Sequence, residues 1–310
     1  MPPATAERPP LILAFGRDAA DCFDVGVPVL GGNRADDLFA TARPAGRAGS
    51  FALFETAGWL TGVAVVPAED KAEPVTRRLY RELLQATRGR HLARIWNFVP
   101  DINETGGTGL ENYQAFCRGR SLAFEQHHGA AFTAFVPAAS AVGCRVPALT
   151  VAFAASAAQP RHVENPAQVP AYDYPGDYGP RSPSFARATI VPGEAGATVF
   201  ISGTAAIRGH ATVAPDRLDD QLDCTLKNLD EISRVCGLRP QLDRGGPAGR
   251  HFKVYVRHAA DQPRIAATLA ARLFGPGDRV CYLHADICRQ ALLVEVEATL
   301  VGVTAPPGGH

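Results

Sequence analysis

Phe51-Ala52-Leu53-Phe54-Glu55-Thr56-Ala57-Gly58-Trp59-Leu60-Thr61-Gly62-Val63-Ala64-Val65-Val66 is the stretch from which the rest of the chain can be read. Its two strand-like runs flank Thr56-Ala57-Gly58, which has the look of a hairpin turn. A helical pattern follows at 73–88, with Val75, Leu79 and Leu83 four residues apart on one face. Pro74 suits its first turn and Gly89 its stop. A strand is expected at 92–99, then the Gly-rich loop 105–109, a helix at about 111–127, and strands at 132–136 and 148–154. The order is strand, strand, helix, strand, helix, strand, strand.

The same order recurs from Phe185 onward. Strands are predicted at 188–191 and 198–202, and a helix at 216–237. Leu218, Leu222, Leu226, Leu229, Ile232 and Val235 form that helix's apolar stripe. A strand at 252–256, a helix at 262–274 and strands at 279–285 and 291–301 complete it. Residues 11–15 add a short apolar run near the start. Two such halves predict an α+β fold, with mixed sheets and helices packed on one face. The expected division is an N-terminal unit at 1–155, an ordered connecting loop at 156–187 and a C-terminal unit at 188–310. Tyr172, Tyr174 and Tyr178 argue for order in that loop, because disordered linkers are poor in aromatic residues.

The chain has 310 residues, enough to bury a core without staples. Hydrophobic residues are 46% and charged residues 20%, ordinary for a soluble globular protein. Lys plus Arg and Asp plus Glu are both 31, which argues against a basic face for nucleic acid. No apolar run reaches the ~18 residues of a membrane span. Residues 1–8 lack a signal-peptide layout. The seven cysteines show no CxxC spacing, so reduced thiols in a cytoplasmic protein are expected, without a zinc site.

Four segments could carry chemistry. The first, Arg94 to Asn103, ends a strand in Pro-Asp-x-Asn, which a plain turn also explains. In the second, 111–120, Tyr113 and Arg120 are seven apart and can share a helix face, while Arg118 points elsewhere. A guanidinium fork with a phenol suits a carboxylate. The third holds Tyr178, Arg181 and Arg187, then Ser202-Gly203-Thr204-Ala205-Ala206 after a strand. Backbone N–H groups at Gly203 and Thr204, uncovered by bulky side chains, can bind an oxyanion. Ser202 lacks a nucleophile elbow and is a poor nucleophile candidate. In the fourth, 279–297, Glu295 and Glu297 lie two apart on one strand face. A buried Glu keeps its proton toward neutral pH and suits general acid work, whereas a solvent-facing edge would leave both as surface charges.

Read together, RIWNFVPDIN (94–103), ENYQAFCRGRSLAF (111–124), ENPAQV (164–169), YGPRSPSFARA (178–188), FISGTA (200–205), ADICR (285–289) and LLVEVEA (292–298) resemble the chorismatase family. Members of that family remove the enolpyruvyl side chain of chorismate. The resemblance implies two YjgF/RidA-like units, no metal and no organic cofactor. It implies Glu295 as proton donor and Arg120, Arg181, Arg187 and Arg279 as carboxylate ligands. Tyr113, Tyr178, Gly203 and Thr204 assist, and Ala205 or Ala206 lies where the branches differ. In the hydroxybenzoate-forming branch a Cys seven residues before the catalytic Glu takes part, and here Cys288 precedes Glu295 by seven. The implied products are 3-hydroxybenzoate and pyruvate, with 4-hydroxybenzoate also made by some members. Alternatives are hydrolysis to a dihydroxycyclohexadiene carboxylate, RidA-like imine deamination, or chorismate binding without catalysis. Chorismate is the expected partner, with no nucleic acid or membrane, in a monomer or a YjgF-like trimer.

Overall fold

Each half of the chain builds most of one large sheet, and the two large sheets share a strand plan. A computed structural model describes residues 13–15, 23–68, 72–238, 242, 244, 246 and 248–304. Sheet one runs Arg43–Ala48, Phe51–Thr56, Trp59–Pro67, Ala148–Ser156, His91–Pro100, Ala138–Cys144. Sheet two runs Arg161–Val163, Ala188–Val191, Ala197–Ala205, Val294–Val303, Gly249–Val256, Arg279–His284, Val29–Gly32. Within each of these two sheets, among the described residues, the parallel neighbours are the two strands joined by a helix: His91–Pro100 with Ala138–Cys144, and Gly249–Val256 with Arg279–His284. A parallel pair needs such a crossover, whereas antiparallel neighbours do not.

Helices α1 (Ala72–Ala86) and α2 (Asn112–His128) cover sheet one, and α3 (Leu218–Val235) and α4 (Gln262–Arg272) cover sheet two. The apolar stripe of α1, including Leu79 and Leu83, is buried with Phe51, Ile95 and Phe153 of the sheet. Helix α2 lies close against α1 because Gly119 has no side chain. A Cβ there would stand 2.4 Å from the Glu73 carbonyl oxygen. In the second half, Leu222, Leu229 and Ile232 of α3 and Ile265 and Leu269 of α4 cover Val254, Phe252 and Val296.

The opposite faces of the sheets meet in a third core. Phe54, Trp96 and Phe98 from sheet one pack with Phe200, Tyr255 and Leu283 from sheet two. Trp59 and Trp96 both meet the Phe200 ring edge-on, at 5.8 and 6.2 Å. The layers are helix, sheet, sheet, helix, so the α+β expectation holds. Among the described residues no helix is long and apolar enough to cross a membrane.

Three details differ from the sequence reading. In place of a strand at 132–136 there is a 3-10 turn, Gly129–Phe135, capped by Val136, and the strand that follows is Ala138–Cys144. Val29–Gly32, from the first part of the chain, pairs with Arg279–His284 and forms an edge of sheet two. Arg161–Val163, inside the stretch read as connecting loop, forms the other edge. Of the early apolar run, Leu13–Ala14 form a strand pair with Asp36 and Ala35, and Leu11 and Ile12 lie outside the described residues.

Candidate active site

A cavity of about 480 Å³ opens where the two halves and the connecting stretch meet. That lies within the ~300–1,000 Å³ typical of small-molecule sites. Tyr113, Gln114 and Arg120 enter from α2 and its cap, and Ala139 to Ala141 from the sheet-one edge. Tyr174, Tyr178, Phe185 and Arg187 come from the connecting stretch. Gly203, Ala205, Cys288, Arg289 and Glu295 come from the second half.

Glu295 and Glu297 project from one face of Val294–Val303 and both are buried. Their surroundings differ. Glu297 Oε2 accepts from Arg94 Nη2 at 2.5 Å, and Oε1 accepts from Lys253 Nζ at 2.8 Å and Trp96 Nε1 at 2.9 Å. Tyr255 adds its hydroxyl to Oε2 at 3.1 Å. Lys253 also pairs with Asp36. Burial alone would raise the Glu297 pKa, but Arg94 and Lys253 outweigh it and hold the carboxylate at about 2.

Glu295 has no such company. Its Oε1 is buried without a hydrogen-bond partner among the described residues. Burial lifts its pKa to about 8 and the Glu297 charge adds to the rise, with Arg94 and Arg187 opposing. Two carboxyl groups two residues apart are thus driven to opposite protonation states, and the one facing the cavity keeps its proton at neutral pH.

Three guanidinium groups line the same cavity. Arg120 is 2% exposed, and its Nε and Nη2 have no hydrogen-bond partner among the described residues. Its guanidinium lies 5.3 Å from the Tyr80 ring centre and 5.9 Å from that of Phe124. A buried cation without an anion is costly, and a bound carboxylate would relieve it. Arg187 donates Nη2 to Val169 O at 3.1 Å and to the Tyr174 hydroxyl at 2.8 Å, while its Nε makes no hydrogen bond but lies 3.9 Å from Glu164 Oε2 in an ion pair. Arg289 is held by His210 O and Thr212 Oγ1, and lies 4.0 Å from the Tyr178 ring centre. Glu111 and Asp177 also reach the wall, and Ala139, Ala141, Phe185 and Ile207 supply apolar surface. Cys288 is partly exposed, and burial with the nearby Glu295 pushes its thiol up to about 12, so it is uncharged.

Of the residues singled out from the sequence, the cavity gathers Glu295, Cys288, Tyr113, Arg120, Tyr178, Arg187 and Gly203. Four are not among its lining residues. Arg279 starts the strand next to the Val29–Gly32 edge, and its guanidinium pairs with Asp37 on the surface. Arg181 pairs with Glu125 at 2.7 Å. Thr204 turns its hydroxyl to Ser202 O at 2.9 Å, and Ala206 is fully buried in the inter-sheet core. The Ser202 hydroxyl accepts from Ala139 N and donates to Ala186 O, which ties the halves together. Arg118 pairs with Glu73 away from the cavity. Sequence reasoning missed Arg289, Tyr174 and Ser140. Arg289 could have been found as the neighbour of Cys288 in the ADICR segment.

Fold and cavity together define a two-sheet α+β protein with a protonated carboxyl and an arginine-lined pocket for a small anion. The family described as "Chorismatase FkbO/Hyg5-like, N-terminal" matches residues 38–155. A 3-hydroxybenzoate synthase of Streptomyces hygroscopicus is 38% identical over 247 residues, 76% of this chain and 72% of that protein. A chorismatase of the same organism is 37% identical over 273 residues, 84% of this chain and 78% of its own. A crystal structure of a chorismatase superposes with a TM-score of 0.78 at 32% identity, covering 97% of this chain and 96% of that one. The chain belongs to the chorismatase family.

Proposed function

We propose that this enzyme cleaves chorismate to 3-hydroxybenzoate and pyruvate, with Glu295 as the proton donor. The observation that carries the reading is the opposite protonation of Glu295 and Glu297 in a cavity lined by the unpartnered edge of Arg120 and by Arg187. Chorismate is a dianion with an enol ether at ring carbon C3 and a hydroxyl at C4. Its two carboxylates need two cationic subsites, and Arg120, Arg187 and Arg289 offer three. A RidA-like imine substrate with one carboxylate would leave part of this charge unused.

Glu295 gives its proton to the vinyl methylene, which becomes a methyl group and leaves an oxocarbenium ion. The C4 hydroxyl oxygen then attacks C3. The C3–O bond breaks, and its electron pair forms the keto group of pyruvate. The hydroxyl proton restores Glu295. Opening of the C4–O bond with loss of the C3 hydrogen makes the ring aromatic. Substrate and products are isomeric, so no water is consumed. General acid catalysis of the first step contributes ~10²–10⁴-fold.

Cys288 bears on the choice between this route and hydrolysis, which adds one water. A thiol with its pKa near 12 is neither nucleophile nor base at neutral pH. What it offers is apolar bulk and a weak S–H donor. The free cysteines among the described residues suit a cytoplasmic location.

Chromatography of products after incubation with chorismate, alongside coupled pyruvate detection, tests the reading. We expect equal amounts of 3-hydroxybenzoate and pyruvate. Pyruvate with only the dihydroxycyclohexadiene carboxylate would replace the product assignment, and no pyruvate at all would remove the activity.

A further inference from the structure

Arg257 does not line the cavity, yet it holds the segment that carries Cys288 and Arg289. It follows the Gly249–Val256 strand, and its side chain bonds to the segment 286–292. Its Nε donates to Leu292 O at 2.6 Å and its Nη1 to Asp286 Oδ1 at 2.6 Å. Its Nη2 reaches Arg289 O at 2.9 Å and Ile287 O at 3.1 Å. The same Nη2 donates to Asn103 Oδ1 at 3.1 Å. One guanidinium therefore fixes the carbonyls immediately before and after Cys288.

Asn103 completes the clamp from the other half of the chain. Its Nδ2 donates to Ile287 O at 3.1 Å, and its backbone carbonyl accepts from Gln290 Nε2 at 3.4 Å. A second tether lies on the far side, where Gly143 N donates to Asp286 O at 2.8 Å and Val142 bridges Ile287. That tether fixes the start of the segment and does not reach Cys288 or Arg289. Arg257 bonds the backbone carbonyls on both flanks of the thiol. A lysine keeps the charge but cannot span this many acceptors in fixed directions.

We infer that Arg257 is a positioning residue that sets the product of the reaction. By fixing the backbone on either side of Cys288 it keeps the thiol in place and water out, so that the C4 hydroxyl outcompetes water for the cation. Slackening the segment admits one water, and the hydrolytic diol forms with the same yield of pyruvate. The inference rests on the reading that Cys288 governs the choice between the two routes.

The test is the ratio of 3-hydroxybenzoate to diol, with pyruvate as the common count, in wild type, Arg257→Lys, Cys288→Ala and the double variant. A small displacement of a reacting group costs ~10²-fold, so Arg257→Lys should lower the ratio at least ~10-fold while pyruvate release persists. The double variant should match Cys288→Ala, because both changes act through one group. Asn103→Ala, which removes the bonds to Ile287 O and from Arg257 together with the contact to Glu111, should shift the ratio the same way by less. It carries the test if Arg257→Lys does not fold. An Arg257→Lys enzyme that loses both products in equal proportion overturns the inference, as does an additive double variant. A wild type that makes only diol overturns the product reading and this inference with it, and shows in the wild-type reaction alone. An unchanged ratio in Arg257→Lys beside a collapsed ratio in Cys288→Ala overturns the inference and leaves the product reading standing.

Discussion

Glu295 occupies the space that a side chain at position 203 would need. A Cβ built on Gly203 would stand 2.1 Å from Glu295 Oε1 and 2.6 Å from its Cδ. The two residues face each other across neighbouring strands, where the register between Ala197–Ala205 and Val294–Val303 shifts between Ile201 and Thr204. The absence of a side chain at Gly203 is what admits a carboxyl group into this corner of the cavity. Gly203→Ala should therefore displace Glu295 and lower kcat by ~10² or more, the scale of a lost general acid. The variant should stay folded by circular dichroism. An alanine variant with wild-type kcat would show that Glu295 needs no such fit.

The pH profile follows from the raised carboxyl. Glu295 must be protonated to act, and its pKa is about 8. Log kcat/KM for the free enzyme should be flat near pH 7 and fall with unit slope as pH rises through about 8. Glu295→Asp, if active, should shift this limb. A limb unchanged by substitution at 295 would assign the titration to another group.

Stability separates the two carboxylates with opposite signs. Glu297 has a lowered folded pKa of about 2 against an ordinary 4.5, so its contribution is present above 4.5 and is lost as pH falls toward 2. Glu295 has a raised folded pKa, so its favourable contribution is complete below 4.5 and is lost as pH rises through about 8. Glu295→Gln should raise Tm relative to wild type at pH 8, with the gain vanishing near pH 4.5. Glu297→Gln leaves Arg94 and Lys253 short of an anion and should cost about 3–5 kcal/mol at neutral pH. Thermal melts of both variants across pH would reveal a reversed order if the assignments were exchanged.

Arg120 trades stability for binding. Its buried Nε and Nη2 lack partners, so Arg120→Met removes an uncompensated charge and should leave Tm equal or higher. The same change should raise KM for chorismate by ~10- to 100-fold, from the ~1.5–3 kcal/mol of a hydrogen bond to a charged group. A fall in Tm with KM unchanged would make Arg120 a structural cation.

Much of this fold was legible because it rests on periodicity. The stripes of α1 and α3 and the repeated element order could be read from spacing alone. Ala138–Cys144 could not. Ala-Ala-Ser-Ala-Val-Gly-Cys has weak strand propensity, and it forms a strand because His91–Pro100 beside it and the second half above it bury it. The more hydrophobic run before it, 132–136, instead falls mostly in the 3-10 turn, with Phe135 stacked on His128 at 4.3 Å. Alternation placed Glu295 and Glu297 on one face. It could not say which keeps its proton, because Arg94 arrives from about two hundred residues away. Arg279 was misplaced for a related reason. Its strand was read correctly, but the partner that draws it to the surface, Asp37, comes from the first part of the chain.

Pyruvate release by Glu295→Gln, measured beside the calorimetric affinity of the same variant for chorismate, tests the central claim most directly. The amide preserves the shape of the side chain and has no acidic proton to give. We predict near wild-type affinity with turnover reduced by at least ~10². Wild-type turnover by Glu295→Gln would contradict the account, because the proton would then come from elsewhere.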